Sequence, residues 1–577
     1  MASDHFVVRV LPDVKGFEKR FDYLVPELLR GQVRVGTQVR IDLAGRRVGG
    51  WITDIDVITP EGVKLRPIAK VVGWGPAAEL FPLAEWAAWR WAGRPQHLLT
   101  TASPERVVGV IPVARPSSIP VPVVLDPWLA DAFNGPSSLV RLPPSKDPFD
   151  LLLEACRRGN ALIICPSVSM ARLFGARLRR AGVAVSLYPR DWALCAGGGS
   201  VIGARATAWA PVRDLAAVVV LDEHDEGHQQ EQTPAWNARD VAVERARRAD
   251  VPCVLVSPVP SLESLGQHRL ITLSRSEERE GWPVLDIVDR GRDEPSRRAL
   301  PLSDALARIL TSEKRIVCVL NTKGIARLLA CGSCGDLARC ERCDAALEQI
   351  DDHLHCPRCQ LNRPVVCKAC GSSKFKLRRR GVSKLREELE AAANCPVVEI
   401  TGLTAGEPLP EARIYIGTEA VLHQVQHANV VVFLDLDAEL FAPRYRANEQ
   451  VMALLARAAR LVGSRSGGGR VMVQTTEPRH EVLTAILQAD PGRYAAAELV
   501  RRQLLQFPPV SALAAVSGAG AASFVASMPE ITGVEVLGPS DDRYLIRAAN
   551  HQILCDTLAA TPRPESRIRL EVDPQRI

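Results

Sequence analysis

Two kinds of hydrophobic pattern divide the chain. Near the amino terminus, apolar and polar residues alternate along short segments separated by glycines, as at 6–10, 38–41 and 51–55. Such alternation is typical of strands with one buried face. We therefore predict a small β-rich module over residues 1–105. Prolines then recur without periodicity, which indicates a linker over residues 106–140.

Continuous apolar runs replace this alternation farther along the chain. They are separated by stretches of helical periodicity and lie at 161–165, 201–203, 217–221, 254–256, 315–320, 413–416, 430–434 and 470–473. Buried parallel strands have this character. The pattern predicts two α/β domains in tandem, the first over 141–290 and the second over 291–330 with 371–485. A segment at 331–370 interrupts the second domain after its first strand and is expected to protrude, and residues 486–577 form a small α+β domain.

Size and composition restrict the class of protein. A chain of 577 residues exceeds the roughly 250–300 residues that one hydrophobic core supports, so several domains are required. Apolar residues make up 47% and charged residues 24%, which excludes disordered and collagen-like chains. The net charge of +6 allows local basic faces that could contact nucleic acid. No signal peptide or membrane-spanning run is visible, so we expect a cytoplasmic protein with no membrane partner.

The cysteines are concentrated in one segment. Eight of the 15 form four CxxC pairs within forty residues: Cys331, Cys334, Cys340, Cys343, Cys356, Cys359, Cys367 and Cys370. Two such pairs complete the tetrahedral thiolate shell that Zn²⁺ accepts, so eight ligands predict two structural zinc ions per chain. A disulfide framework does not fit a large chain without a secretion signal. An iron–sulfur cluster is the alternative metal centre.

Carboxylates follow one of the predicted buried strands. The acidic box Asp222-Glu223-His224-Asp225 stands directly after the run at 217–221. With the cysteine-rich insertion in the second α/β domain, it resembles the PriA family of bacterial replication restart proteins, which are superfamily-two DNA helicases. Further segments follow in the order of the family: 20–27, 35–40, 47–50, 201–205, 237–240, 320–324, 416–418, 434–437, 507–509 and 571–575.

This resemblance implies a specific architecture. It consists of two tandem RecA-like helicase lobes with a zinc-ribbon insertion in the second, a β-rich amino-terminal DNA-binding domain and a small α+β carboxy-terminal domain. The 106–140 linker leaves no room for the family's winged-helix domain. By the family pattern, one zinc is bound by the outer cysteines, which are Cys331, Cys334, Cys367 and Cys370. The other is bound by the inner cysteines, which are Cys340, Cys343, Cys356 and Cys359.

The phosphate loop departs from the family pattern. An active loop, GxxxxGK[ST], surrounds the phosphates with backbone N–H groups. Residues 142–148 read LPPSKDP, so Lys146 aligns with the phosphate lysine, whereas prolines replace glycines and Asp147 stands at the hydroxyl position. The prolines remove N–H donors, and the carboxylate repels phosphate. We expect this loop not to bind ATP and Mg²⁺ tightly.

Other motor motifs are altered as well. The acidic box is one residue shorter than in the family, and the finger arginines of the family correspond to Leu461 and Ser464. We therefore assign no catalytic residue and interpret Lys146, Asp222 and Glu223 as vestigial.

The resemblance also suggests DNA contacts in the amino-terminal module. Phe21 and Asp22 match positions near a captured 3′-terminal nucleotide, with Gly45 and Arg66 close by. A carboxylate that accepts from a 3′-hydroxyl would repel a 3′-phosphate. An unliganded edge of a β module is the alternative interpretation of these residues.

A basic run follows the last cysteine pair. It contains Lys374, Lys376, Arg378, Arg379 and Arg380. Such a run is often a solvated face, and beside zinc ribbons it also suits contact with DNA phosphates.

Together these features give a functional hypothesis. We expect a protein that binds branched DNA at stalled or abandoned replication forks and initiates primosome assembly, without helicase activity. The implied partners are forked DNA, a single-stranded DNA-binding protein and other primosome or helicase-loading proteins. One alternative is an active ATP-dependent 3′–5′ helicase with an unorthodox phosphate loop. Another is an interaction protein that acts through its zinc module and binds DNA only incidentally.

Overall fold

The amino-terminal residues form a six-stranded sheet. The computed structural model of the protein describes residues 6–14, 19–59, 64–113, 116–119, 126–293, 302–311, 315–320, 329–377, 382–400, 409–540 and 542–576. The strands are β1 (Val7–Pro12), β2 (Phe21–Leu24), β3 (Gln38–Leu43), β4 (Arg46–Ile55), β5 (Arg66–Pro67) and β6 (Lys70–Gly73), in the order β5-β2-β1-β4-β3-β6. The alternating residues Val8, Val10, Ile41 and Ile52 point into one core, as predicted. Two helices, α1 (Leu80–Arg90) and α2 (Pro95–Ala102), follow the sheet.

Lobe one is built on a seven-stranded parallel sheet. Its strands are β7 (Ser137–Arg141), β8 (Asn160–Ile164), β9 (Val185–Tyr188), β10 (Ser200–Gly203), β11 (Leu215–Leu221), β12 (Cys253–Ser257) and β13 (Arg269–Thr272), in the order β13-β7-β12-β11-β8-β10-β9. Its helices are α3 (Pro127–Ala132), α4 (Phe149–Arg157), α5 (Val168–Arg180), α6 (Trp192–Gly197), α7 (Ala238–Ala249), α8 (Leu262–Gln267) and α9 (Arg275–Glu280). The four predicted runs of this lobe are all buried strands.

Lobe two has a six-stranded parallel sheet. Its strands are β14 (Val284–Asp289), β15 (Ile316–Val319), β21 (Val397–Ile400), β22 (Ile414–Gly417), β23 (Val430–Phe433) and β24 (Arg470–Thr475), in the order β14-β24-β23-β15-β22-β21. Its helices are α10 (Asp304–Leu310), α11 (Val382–Ala393), α12 (Ala420–Gln424), α13 (Asp437–Leu440), α14 (Ala447–Val462) and α15 (Glu481–Leu487). The tandem α/β architecture expected from the sequence is confirmed.

The sheets divide the chain differently from the hydrophobic pattern at two places. Strand β7 and helix α3 fall largely inside the predicted linker 106–140, yet β7 lies between β12 and β13 in lobe one. Strand β14 falls before the predicted boundary at 290, yet it pairs with β24 of lobe two. Strand β7 contains only two apolar residues, and Asp286 interrupts the four apolar residues of β14, so neither strand is a continuous apolar run.

The cysteine-rich segment forms two small sheets of its own. One pairs β16 (Leu329–Cys331) with β20 (Phe375–Leu377), and the other contains β17 (Glu348–Ile350), β18 (His353–His355) and β19 (Asn362–Pro364). The segment also docks on lobe two, because Ala346 N–H donates to Phe441 O at 2.8 Å. The Arg358 guanidinium donates to the Ala442 and Arg444 carbonyls at 2.8 and 2.9 Å. The segment is therefore an insertion fixed against lobe two and not a free protrusion.

The carboxy-terminal residues combine helices with an antiparallel sheet. The elements are α16 (Pro491–Leu505), β25 (Ala512–Ser517), α17 (Ala521–Ala526), β26 (Val534–Ser540), β27 (Arg543–Ala548), α18 (His551–Ala560) and β28 (Arg569–Val572), with strand order β26-β27-β25-β28. Asp573 accepts from Arg90 of α1 at 2.5 Å and from His551 at 2.8 Å. The end of the last strand, β28, is thus bound to the amino-terminal helix α1.

Buried Arg502 joins this region to lobe two. Its guanidinium donates to Glu498 at 2.7 Å, to the Pro508 carbonyl at 2.7 Å and to the Tyr445 carbonyl at 3.0 Å. It also pairs with Glu449 of α14. A buried cation with this many acceptors fixes the turn after α16 against the start of α14. Within the described residues, no helix has both the length and the hydropathy needed to cross a bilayer.

Candidate functional site

The loop that aligns with a phosphate loop uses its backbone groups internally. Ser145 N–H donates to Gly281 O at 3.2 Å, and Lys146 N–H donates to Pro143 O at 3.0 Å. A helix N-terminus or loop binds phosphate through free N–H groups, and these two are already occupied. The Lys146 ammonium lies 3.9 Å from Glu277. Asp147 forms a two-point ion pair with Arg177, at 3.0 and 2.5 Å.

Asp222, the first carboxylate of the acidic box, is paired with an arginine from the other lobe. Arg460 of α14 donates to its two oxygens at 2.5 and 2.7 Å, and the same guanidinium lies 3.4 Å from Pro144 O. Burial disfavours the charged carboxylate, but the Arg460 guanidinium holds the pKa of Asp222 well below its usual range. Arg460 thus lies between the loop and the acidic box, where an NTPase would place phosphate and its metal ion.

Glu223, the second carboxylate, is held inside lobe one. One oxygen accepts from the backbone N–H of Ser261 at 2.7 Å, and the other accepts from the hydroxyls of Ser261 and Ser264 at 2.8 and 2.7 Å. Arg239 also donates to it at 3.2 Å. The side chain is fully buried. These four donors anchor the start of α8 and leave Glu223 with a structural role in this arrangement.

Further contacts between the lobes lie along one face of α14. We call Arg446, Gln450, Arg457 and Arg460 the interlobe stripe. Their spacing of four, seven and three residues places them on the same side of a helix. Gln450 bonds to Glu226, Arg457 pairs with Asp225, and Arg446 pairs with Glu263. The stripe therefore meets a row of lobe-one acceptors that extends from Asp222 to Glu263.

Sequence reasoning did not assign the stripe a role. The segment containing Arg457 and Arg460 was interpreted through the family's finger positions, which correspond to Leu461 and Ser464. Leu461 is buried in the lobe-two core and Ser464 lies in the following turn. The spacing of these polar residues on one side of a largely apolar helix could have indicated a polar contact surface. It does not indicate which carboxylates they contact.

The amino-terminal groove brings together several predicted DNA-contact residues. A cavity of about 880 Å³ is lined by Arg9, Arg20, Phe21, Asp22 and Arg66, among others. Asp22 accepts from Arg9 at 2.8 and 3.1 Å across the β1–β2 ladder. Arg66 is brought beside β2 because β5 pairs with it in parallel.

Gly45 lies next to this groove and not in its wall. It occupies the β3–β4 turn with φ of 78°, after Ala44 with φ of 50°, and Ala44 lines the cavity. Two successive positive φ values define a type I′ hairpin turn, for which glycine is favoured at the second position. The structure therefore gives Gly45 a conformational role.

The eight clustered cysteines form two groups of four. The outer group is Cys331, Cys334, Cys367 and Cys370, the inner group is Cys340, Cys343, Cys356 and Cys359, and within each group the sulfur atoms lie within 4.8 Å of one another. The S···S distances of 3.4–3.6 Å are too long for a disulfide. They are close to the roughly 3.8 Å edge of a tetrahedral Zn–S₄ site. The division of the cysteines into an outer and an inner group, expected from the family, is confirmed. The geometry of both groups fits zinc.

All four CxxC turns have the same backbone design. The N–H of the first cysteine donates to the carbonyl five residues later, and its carbonyl accepts from the N–H four residues later. That fourth residue has positive φ in every copy: Gly335, Asp344, Gln360 and Gly371. The turns therefore orient each thiolate pair by backbone hydrogen bonds in addition to any metal.

The basic run after the last cysteine pair is only partly described. Lys374 and Lys376 are exposed, and Lys376 lies on β20 beside the outer cysteine group. Arg378, Arg379 and Arg380 lie outside the described residues.

A family model described as a 3′DNA-binding domain (3′BD) matches residues 9–104. Among curated relatives, the replication restart protein PriA of Bacillus subtilis is 26% identical over 344 residues, covering 55% of this chain and 43% of that protein. PriA of Thermotoga maritima is 27% identical over 438 residues, covering 68% of this chain and 58% of that protein. The chain thus spans about half the length of these relatives.

A relative from Mycobacterium leprae, a probable replication restart protein PriA, is 28% identical and covers 92% of this chain and 90% of that protein. Among solved structures, a DEAD box protein from Methanococcus jannaschii is 12% identical with a TM-score of 0.32, covering 63% of this chain and 87% of that one. The sequence relatives confirm the resemblance to the PriA family.

We predict that the purified chain contains two zinc ions and that Cys343→Ser reduces this to about one. Serine is a poor zinc ligand, and Cys343 belongs to the inner group only. Metal content per chain, measured by plasma mass spectrometry, checks this. Cys395→Ser, outside both groups, should keep two. Iron in place of zinc, or an unchanged zinc content in Cys343→Ser, would contradict the assignment.

We predict that Arg460→Gln lowers the melting temperature at pH 7, because it leaves Asp222 without its main counter-charge. The cost should be about 1–3 kcal/mol, below the range for a fully buried pair, since Arg460 keeps 40% of its side chain exposed. The pKa of Asp222 is lower in the folded state, so its stabilisation is complete above the unfolded pKa and is lost as pH falls. The deficit of the variant should therefore stay nearly constant from pH 7 to about pH 4 and narrow only below pH 4.

The matched control is Arg470→Gln, which removes an ion pair with Asp286 inside lobe two. It should melt within about 1 °C of the unmodified protein, as expected for an exposed pair. Equal melting temperatures for Arg460→Gln and the unmodified chain at pH 7 would show that the interlobe pair does not stabilise the structure.

Proposed function

We propose that this PriA-like chain binds branched DNA at stalled or abandoned replication forks and initiates primosome assembly without acting as a helicase. The proposed lack of helicase activity rests on the placement of Arg460, which binds Asp222 and contacts the 142–148 loop. A helicase motor needs that space for nucleotide and metal.

Two independent features support the loss of ATP turnover. The first is the loop, whose Ser145 and Lys146 N–H groups are directed to carbonyls and whose prolines cannot supply replacements. The second is Glu223, which accepts four hydrogen bonds inside lobe one and so is poorly placed to activate water. A change that freed the N–H groups of the loop would not free Glu223 to activate water.

DNA binding is supported by the amino-terminal module. The 3′DNA-binding domain match covers the whole groove, and that groove joins basic Arg9, Arg20 and Arg66 to aromatic Phe21. Cationic side chains beside an aromatic ring suit a nucleotide with its phosphates. We assign the 3′-terminal nucleotide of a fork to this groove, with exposed Lys374 and Lys376 as additional phosphate contacts.

Protein partners are assigned by the same resemblance. We propose a single-stranded DNA-binding protein and helicase-loading proteins of the primosome, acting in the cytoplasm. The zinc module is suited to hold a partner surface because it is docked on lobe two through Arg358 and Ala346. No membrane partner is proposed.

We predict fork binding without ATP turnover. The purified, zinc-replete chain is mixed with a fork carrying a free 3′ end, and ATP hydrolysis and DNA binding are recorded in the same samples. Binding should be tight, turnover should stay at background with or without the fork, and Lys146→Gln and Glu223→Gln should change neither quantity by more than about two-fold.

Turnover that rises with the fork and disappears in Glu223→Gln would instead establish the active 3′–5′ helicase. A fork affinity no greater than that for linear duplex at physiological salt would favour the protein that acts through its zinc module. The two alternatives are thus separated by the same experiment.

We predict that Asp22 sets the preference for a 3′-hydroxyl. A carboxylate disfavours a second anion, and its removal leaves Arg9 free to attract one. Forks ending in 3′-hydroxyl should bind about ten-fold tighter than forks ending in 3′-phosphate, and Asp22→Asn should reduce that ratio to about one. Binding is measured by fluorescence anisotropy.

Asp56→Asn is the matched control, because Asp56 is exposed in the same module and outside the groove. It should keep the full ratio. A ratio that is unchanged in Asp22→Asn would remove Asp22 from the 3′-end site.

A further inference from the structure

A second cavity lies where the amino-terminal module meets lobe one. Its volume is about 710 Å³, within the range of small-molecule sites. The amino-terminal module contributes residues 34–35 and 74–79, and lobe one contributes Trp192, residues 211–215 and Arg245, among others. It shares no lining residue with the amino-terminal groove.

The most buried charge in this wall is Arg245 of α7. Its side chain is 4% exposed. One guanidinium nitrogen, Nη1, donates to Ala208 O at 3.0 Å, whereas Nε and Nη2 have no hydrogen-bond acceptor among the described residues. The carboxylate of Glu79 is 3.8 Å from Nη2. Both nitrogens are almost fully shielded from solvent, so Arg245 acts on the cavity through its positive charge, which Glu79 at 3.8 Å only partly balances.

Arg34 supplies a second cation on the opposite wall. Its guanidinium lies over the ring of Trp74 and has no carboxylate partner within the described part of the chain. Burial lowers its pKa to about 10, so it is still charged at neutral pH. An arginine stacked on tryptophan offers both a flat surface for a base and donors for a phosphate.

The rim of the cavity has a fixed shape. A Cβ atom on Gly36 would collide with the Pro76 carbonyl, and one on Gly75 would collide with the Gly36 carbonyl. The two loops that carry Arg34 and Trp74 therefore pack backbone against backbone. This close contact holds the stacked pair in place without any ligand.

We propose that this cavity binds a nucleoside phosphate, with the base against the Arg34–Trp74 pair and the phosphoryl oxygens toward Arg34 and Arg245. A nucleic-acid ligand is favoured over an acidic peptide because Arg34, Trp74 and Glu79 all belong to the segment that matches a DNA-binding domain. The phosphate can come from a free nucleotide or from the end of a DNA strand.

The test is calorimetric titration of the full, zinc-replete chain with dTMP and with thymidine. We expect dTMP to bind at least ten-fold tighter than thymidine, and Arg34→Gln to weaken dTMP at least five-fold. Arg190→Gln, an exposed lobe-one arginine, is the matched control and should bind normally. Lys146→Gln should also bind normally, because it alters only the 142–148 loop.

Arg245→Gln provides a second variant, which removes the buried positive charge from the lobe-one wall of the cavity. It should weaken dTMP at least three-fold while its melting temperature confirms folding. Titration with 5′-phosphorylated d(TTT) then identifies the source. Tighter binding than dTMP supports a strand end, and equal or weaker binding supports a free nucleotide.

Two results would overturn the proposal: equal affinity for thymidine and dTMP, or no effect of Arg34→Gln on dTMP affinity. A short Asp-Asp-Phe peptide that binds in an Arg34-dependent manner while dTMP does not would replace the nucleotide site with a site for a protein partner. None of these results depends on fork recognition, so the proposed function stands or fails separately.

Discussion

A buried carboxylate must be compensated by positive charge, and in this chain the compensation for Asp222 comes from the other lobe. In an NTPase the equivalent charge arrives with a metal ion and leaves after each cycle. Arg460 is covalently part of α14, so it is always present. Arg460 therefore favours one relative orientation of the two lobes, because separating them would leave the Asp222 carboxylate partly desolvated and without a counter-charge.

The same helix transmits this constraint to the rest of the molecule. On its lobe-one side, α14 presents the interlobe stripe, and near its start Glu449 meets Arg502 of the carboxy-terminal region. The last residues of the chain are then held to α1 through the pair between Arg90 and Asp573. Lobe one, lobe two and both terminal regions are thus connected by a series of buried or half-buried ion pairs.

Local patterns in the sequence were sufficient for elements whose chemistry is local. The parallel strands were predictable because continuous apolar runs such as 217–221 are buried on both faces. The cysteine pairs were predictable because a CxxC turn sets both ligands within four residues. Strand β7 was missed because its position is determined by pairing with β12 and β13 and not by its two apolar residues.

The interlobe stripe and the second cavity show what sequence cannot supply. Arg460 lies 238 residues from Asp222, and Arg34 is brought to the same cavity as Arg245 only by docking of one module on another. Long-range ion pairs have no fixed spacing, so an isolated arginine in a helix is indistinguishable from a solvated one. The prolines at 143 and 144 predict a disabled phosphate loop, but they do not predict that Arg460 contacts it.

Two lobes joined by ion pairs can act as a scaffold even without a nucleotide cycle. The zinc module is fixed to lobe two through Arg358, which binds carbonyls of residues 442 and 444, immediately before Arg446 of the interlobe stripe. The amino-terminal groove is held to lobe one by the helices that follow its sheet. Under the proposed function, the two lobes therefore hold the groove and the zinc module, both of which we propose to face DNA, at a constant distance. Constant spacing is what recognition of a branched substrate requires, since both arms must be contacted at once for the two weak interactions to add.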